Sequence, residues 1–226
     1  MSEVISDNVT AVQTRGLLFD MDGVLISSIG SVVRCWRQWA RIYDIPGAES
    51  YEVPHGMRAI DIVKTLRPDI DPEEGLRVIE DLELEDMDDL KVLPGVKKLL
   101  EGLPPERWAI VTSATKRLLL GRLAMAGLPV PTRLISGDMV ERGKPDPEPY
   151  RRGAALLGLE PHECVVVEDA PSGIGAGLAA GCRVLGTLGT HSAEELKEAT
   201  WITESLEGVT VVVGEGGLEL RFSSVG

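Results

Sequence analysis

Four short stretches of the chain carry residues able to do chemistry together. "FDMDG" places Asp20 and Asp22 two apart, "VTSATK" offers Thr112 and Ser113, "GKPDPEPY" offers Lys144, and "VVVEDAPSG" offers Glu168 and Asp169. Each lies at or just beyond a short apolar run. The set is three or four carboxylates, a hydroxyl and a lysine, which suits phosphoryl transfer with a carboxylate nucleophile. Acids gathered in one pocket repel each other, so a hard cation is expected. Mg²⁺ takes about six oxygens, with one or two carboxylates, waters and substrate phosphate among them. Asp20, the backbone carbonyl of Asp22 and Asp169, with Glu168 beside them, would supply the protein's share. A carboxylate screened in this way can attack phosphorus and form an aspartyl-phosphate at Asp20. Asp22 can protonate the leaving oxygen and then activate water. Ser113 and Lys144 would bind the oxygens that carry charge in the transition state.

Taken singly, each stretch also has a plainer reading. "DMDG" could be a turn, since Asp and Gly favour turns. It is not a calcium loop, which carries Gly at its sixth position, whereas Gly23 is fourth from Asp20. Lys144 alone would be a solvated lysine, and Glu168-Asp169 could begin a helix. Four such stretches in this order, each after a strand, are poorly explained by chance.

The elements that must position these residues alternate along the chain. "GLLFD", "RWAIVTS", "RLISG", "ECVVVED" and "CRVLGTL" read as short buried strands. Between them "GVKKLLEGL", "KRLLLGRLAMAGL", "PEPYRRGAALLGL" and "GIGAGLAAG" read as helices. The expected fold is α/β: a Rossmann-like parallel sheet with helices on both faces, its strand C-termini meeting along one edge. Residues 31–92 hold helical patterns and no convincing strand. They read as an inserted α-helical cap domain, with Pro94-Gly95 as a hinge and the catalytic core formed by 1–30 and 93–226. The acidic stretch 1–15 reads as a loose leader. The tail "GEGGLELRFSSVG" reads as a last edge strand or a loose end.

Composition bounds the rest. The chain has 226 residues, is 43% hydrophobic and carries a formal net charge of −13. A chain of this size buries roughly 70% of its extended surface, enough for a substantial core. The acidic balance argues against nucleic acid and anionic membranes, both of which need a basic face. No apolar run approaches the ~18 residues of a membrane span, and the leader lacks the basic start of a signal peptide. Cys35, Cys164 and Cys182 are an odd set with no metal spacing, which suits a reducing, cytoplasmic setting.

The four stretches together resemble the haloacid dehalogenase superfamily of aspartate-nucleophile phosphatases, from about Arg15 to Val213. The helical insert directly after the first motif looks like the cap of the β-phosphoglucomutase-like branch. "HGMRAIDIV" and "LPPERWAIVTSATK" look most like its 2-deoxyglucose-6-phosphate and glycerol-phosphate phosphatases. The resemblance implies Asp20 as nucleophile, Asp22 as acid/base, Ser113 and Lys144 as phosphate binders, and Glu168 and Asp169 as metal acids. It implies substrate contacts at His55, Gly56 and Arg58 in the cap loop, and at Ser28 and Ala114. His55 reads equally as a buried structural histidine; Trp36 and Trp39, three apart, read as packing residues.

Two departures narrow the reading. Relatives often carry an acid before the final Ser of the first motif, where this chain has Ser27-Ser28. Mutases place a histidine ten residues beyond the second Asp, where this chain has Val32. The function implied is a Mg²⁺-dependent, monomeric phosphatase acting on a small sugar or polyol phosphate. The alternatives are a β-phosphoglucomutase-like sugar-phosphate mutase and a phospho-accepting, receiver-like domain. The latter fits less well, because its acidic pair precedes the acceptor and it has no cap.

Overall fold

The computed structural model describes residues 9–225. From Val9 the chain runs through β1 (Val9–Thr14), β2 (Gly16–Phe19) and β3 (Ile26–Ser27). Three helices follow, α1 (Ile29–Ile42), α2 (Ala59–Leu66) and α3 (Pro72–Glu85), and β4 (Lys91–Val92) returns beside β3. Then come α4 (Val96–Glu101), β5 (Trp108–Val111), α5 (Lys116–Ala126), β6 (Leu134–Ile135), α6 (Glu148–Leu156), β7 (Cys164–Glu168), α7 (Pro171–Ala180) and β8 (Arg183–Thr187). β9 (Trp201–Thr203), β10 (Thr210–Gly214) and β11 (Gly217–Ser223) complete the order.

Six strands form one parallel sheet in the order β6-β5-β2-β7-β8-β9. β2 sits at its centre, and the chain winds outward from it in both directions, so a cleft opens at the strand ends beside it. The period-two alternation of strand side chains splits the core into two layers. Leu17 and Phe19 of β2, with Val165 and Val167 of β7, face the layer holding α4 and α5. Leu18, Cys164 and Val166 face the layer holding α6 and α7. All four β2 residues are buried, which is why these strands read as continuous apolar runs.

The expected loose leader is corrected over part of its length. Residues 1–8 lie outside the described residues, but Val9–Thr14 is a strand, paired antiparallel with β11 from Val9↔Ser223 to Thr14↔Leu218. The tail is corrected too: expected as a last edge strand or a loose end, it forms β11, the middle strand of this second sheet, with β10 on its other side. Its Leu218, Leu220 and Phe222 alternate inward onto the α4/α5 layer. The "VTAVQT" pattern is too polar to mark a strand alone; Val12 is buried only because β11 supplies the apolar face. β9, three residues long, was likewise not expected.

The helical insert packs around its own apolar cluster. Cys35, Trp36 and Trp39 of α1 meet Ile62 and Val63 of α2 and Leu76 and Ile79 of α3. Trp39 donates its indole N–H to the Gly75 carbonyl at 2.9 Å, which satisfies the one polar atom of a fully buried ring. α3 begins on Asp71, whose carboxylate accepts the Glu73 N–H, with Pro72 in the first turn. Against the expectation of no strand in 31–92, Val92 and Lys91 pair with Ile26 and Ser27. The insert thus leaves and re-enters the core through a two-stranded neck. Among the described residues no helix is long and apolar enough to cross a membrane.

Candidate active site

Asp20 is the first residue past β2, and its N–H still bonds the Val167 carbonyl of β7. β7 itself ends on Glu168, so two acids come side by side at the mouth of the central strands. Lys144 reaches between them from the loop before α6. Its Nζ donates to Asp20 Oδ1 at 2.5 Å and to Glu168 Oε1 at 2.8 Å. Oxygens of Asp20, Glu168 and Asp169 lie within 4.8 Å of one another.

Three buried carboxylates against one ammonium leave an excess of negative charge. Burial first, with Glu168 and Asp22 adding to it and Lys144 opposing, raises the Asp20 carboxyl to about 7. Burial, then Glu168 and Asp20, raises Asp169 well above its ordinary value. Burial alone would lower Lys144, but Asp20 and Glu168 carry it upward, so it stays cationic. A divalent cation would cancel this excess, and an all-oxygen donor set suits Mg²⁺. The residues fit such an ion through Asp20 and Asp169. Glu168 is already occupied: Oε1 accepts from Lys144 and the Tyr150 hydroxyl (2.9 Å), Oε2 from the N–H groups of Asp169 (2.9 Å) and Ala170 (3.0 Å). The Asp22 carboxylate lies outside this cluster.

Two glycines permit the close approach. A Cβ at Gly173 would fall 1.7 Å from Glu168 Oε1, so only glycine lets α7 begin against that carboxylate. Gly23 has φ 82°, and a Cβ there would lie 1.9 Å from an Asp169 oxygen. It turns the chain away from the acids toward the neck of the insert.

Between the strand ends and the insert lies a cavity open to solvent. Asp20, Asp22, Asp169, Ser113, Ala114 and Ser28 line it from the core side, His55 and Gly56 from the insert. Ser113 donates to the Gly56 carbonyl at 2.6 Å, and Ser172 to the His55 carbonyl at 3.2 Å. These bonds hold the 55–58 loop down on the core. Burial, then the neighbouring His191, lowers the His55 pKa below the usual imidazole value; the two rings meet edge to face at 5.5 Å.

Arg58 is not brought to this cavity. Its guanidinium is paired with both oxygens of Asp61 (2.7 and 2.9 Å) and donates to the carbonyls of Val140 (2.9 Å) and Gly137 (3.3 Å). It fastens the insert to the core instead.

Several residues of the site were not expected from the sequence. Tyr150 holds Glu168 from beneath. Thr190 donates to Asp169, and His191 Nδ1 lies 2.9 Å from the Asp169 carbonyl. Arg122 of α5 donates to Asp22 Oδ1 at 2.7 Å and to Glu83 Oε2 of α3 at 3.2 Å. Glu80 and Glu83 bring two more acids to the insert side of the cavity, among Trp36, Leu76 and Ile79.

A parallel α/β core with acids gathered at its central strand ends, beneath a helical insert, defines a class of hydrolase. The model of the haloacid dehalogenase-like hydrolase family matches residues 14–181, and the chain belongs to that family. It is 37% identical over 214 residues to hexitol phosphatase A of Escherichia coli (strain K12), spanning 91% of this chain and 98% of that protein. It is 34% identical over 200 residues to glycerol-1-phosphate phosphohydrolase 2 of Saccharomyces cerevisiae, spanning 83% and 80%. The crystal structure of a hydrolase from Pseudomonas syringae superposes with a TM-score of 0.77 at 26% identity, covering 86% of this chain and 95% of that one.

Proposed function

We propose that the chain is a Mg²⁺-dependent phosphatase of small sugar or polyol phosphates, working through an aspartyl-phosphate at Asp20. The observation that carries this reading is the Asp20–Lys144–Glu168–Asp169 cluster, which opens onto a cavity also lined by Asp22 and Ser113. Mg²⁺, held by Asp20 and Asp169 with the Asp22 carbonyl, would screen the carboxylates from an anionic substrate. An Asp20 oxygen attacks phosphorus while the bond to the leaving alkoxide breaks, and Asp22 gives that oxygen its proton. Asp22, now ionised, takes a proton from water as the water oxygen attacks phosphorus; the Asp20–phosphorus bond breaks and phosphate departs. Lys144 holds Asp20 in place and offsets charge on the phosphoryl oxygens, to which Ser113 can donate once its hydroxyl turns from the Gly56 carbonyl.

The relatives' names and the insert side of the cavity support the substrate class. Glu80 and Glu83 there disfavour a second phosphate or a carboxylate and suit a neutral, hydroxyl-bearing tail. Residues 31–92 serve in this reading as a cap that opens to admit substrate.

The test is phosphate release from hexitol phosphates, glycerol 1-phosphate, 2-deoxyglucose 6-phosphate, 2-phosphoglycolate and a sugar bisphosphate, with and without Mg²⁺. Steady turnover of the neutral-tailed esters only with the metal is expected. Release that stops at one phosphate per chain would show a phospho-acceptor instead. Isomer formation from β-glucose 1-phosphate with a bisphosphate primer would show the mutase.

A further inference from the structure

Arg122 is 5% exposed and Glu83 7%, deep in the seam between α5 of the core and α3 of the insert. An arginine cannot shed its proton, so its burial is tolerable only where anions accept its donors. Its two ends are taken by carboxylates from different parts of the fold: Asp22, just past the central strand, and Glu83, on the insert. Burial opposes the charge, and Asp22 and Glu83 outweigh it. The Asp22 carboxylate has no other hydrogen-bond partner among the described residues, so Arg122 is the contact that sets its orientation. Glu83 reaches Arg122 only because α3 is docked on α5. Thr115 donating to Glu80 and Arg117 pairing with Asp81 at 2.7 Å hold that docking from the first turn of α5. A Cβ on Gly121 would meet Leu84, so the two helices approach closely there.

We infer that Arg122 is the positioning residue for Asp22 and that Glu83 is its anchor on the insert, so that Asp22 is aligned for proton transfer only while α3 sits on α5. This rests on the reading of Asp22 as acid and base. Proton transfer at Asp22 is thereby tied to the contact between α3 and α5. A lysine at 122 could not serve in the same way, since Arg122 reaches Asp22 and Glu83 from two separate nitrogens, Nη1 and Nη2, and an ammonium on a shorter stem offers one point in place of that planar fork.

The test is the dependence of kcat/KM on leaving-group basicity, measured with Mg²⁺ over a series of substituted phenyl phosphates. These bind alike and differ in how much they need a proton. Arg122→Met should steepen that dependence, with roughly a tenfold to hundredfold loss for the most basic phenol, within the range of general acid catalysis, and near wild-type rates for p-nitrophenyl phosphate. Glu83→Gln should steepen it less, and the double variant should do no worse than Arg122→Met. Arg122→Lys should resemble Arg122→Met rather than restore function, and it reports if the methionine variant fails to fold. An unchanged slope in Arg122→Met and Glu83→Gln, equal losses across the series, or losses that multiply in the double variant would each overturn the inference. Asp22→Ala separates the two levels. A steep slope there with wild-type slopes in the Arg122 and Glu83 variants removes Arg122 alone. A wild-type slope in Asp22→Ala removes the acid reading and the inference together.

Discussion

Lys144 and Arg122 are both buried cations pinned between two carboxylates, but Lys144 takes both partners from the core whereas Arg122 takes one from the helical insert. The Lys144 centre is complete at the end of the parallel sheet. Glu168 is fixed by four donors, and the arrangement would persist with the insert lifted away. The Arg122 centre exists only when α3 and α5 meet. The difference separates a permanent charge scaffold from a conditional one, within a single cavity.

The two centres should answer differently to substitution and to pH. Asp20→Asn should remove turnover entirely, since the amide is not a nucleophile, while melting at pH 8 stays level or rises because a buried carboxylate has gone. Residual steady phosphate release would remove Asp20 from its role.

Lys144→Met should come next. It leaves Asp20 buried with no cation and takes from Glu168 its one charged donor, and breaking a buried pair in this way costs about 3–5 kcal/mol. Denaturant unfolding without Mg²⁺ measures it, and a loss below about 1 kcal/mol would mean the core scaffold is less tightly held than its distances indicate.

The third prediction concerns pH. Asp20 titrates near 3.8 in an unfolded chain and at about 7 in the fold. The metal-free native state therefore keeps a proton that the unfolded state releases. Its stabilising effect is full below about pH 4 and is lost as pH rises through 7; burial moves Asp169 in the same direction. With chelator present, the melting temperature should fall between pH 5 and 8 by a few degrees, since each tenfold difference in proton affinity between fold and unfolded chain corresponds to about 1.4 kcal/mol. Mg²⁺ should raise it more at pH 8 than at pH 5. A flat chelated profile, or equal rescue at both pH values, would show that the acids carry no unrelieved charge.

The smallest effect belongs to Glu83→Gln, which keeps a weaker acceptor for Arg122 and should cost about 1 kcal/mol of stability. A loss as large as that of Lys144→Met would erase the distinction between the two centres.

The two centres were also unequally legible in the sequence. The Asp20, Lys144, Glu168 and Asp169 cluster could be anticipated because each residue directly follows or closely trails a short apolar strand, and parallel strands deliver their ends to one edge. Arg122 could not be, because its partners lie 100 and 39 residues away and no other residue from Leu118 to Ala126 carries a charge. Arg58 was expected at substrate, but the path of the 55–58 loop turns its side chain toward Gly137 and Val140. β1 is not legible because the apolar residues it packs with belong to β11, about 210 residues later.

That last pairing bears on the order in which the protein is made. Thr10 and Ser224, bonded through their hydroxyls, stand 214 residues apart. At roughly 5–20 residues per second on the ribosome, β1 emerges roughly 10–40 s before its partner exists. The parallel sheet, whose neighbouring strands are closer in sequence, can begin to assemble in that interval, and the small antiparallel sheet closes over it only once β11 has been made.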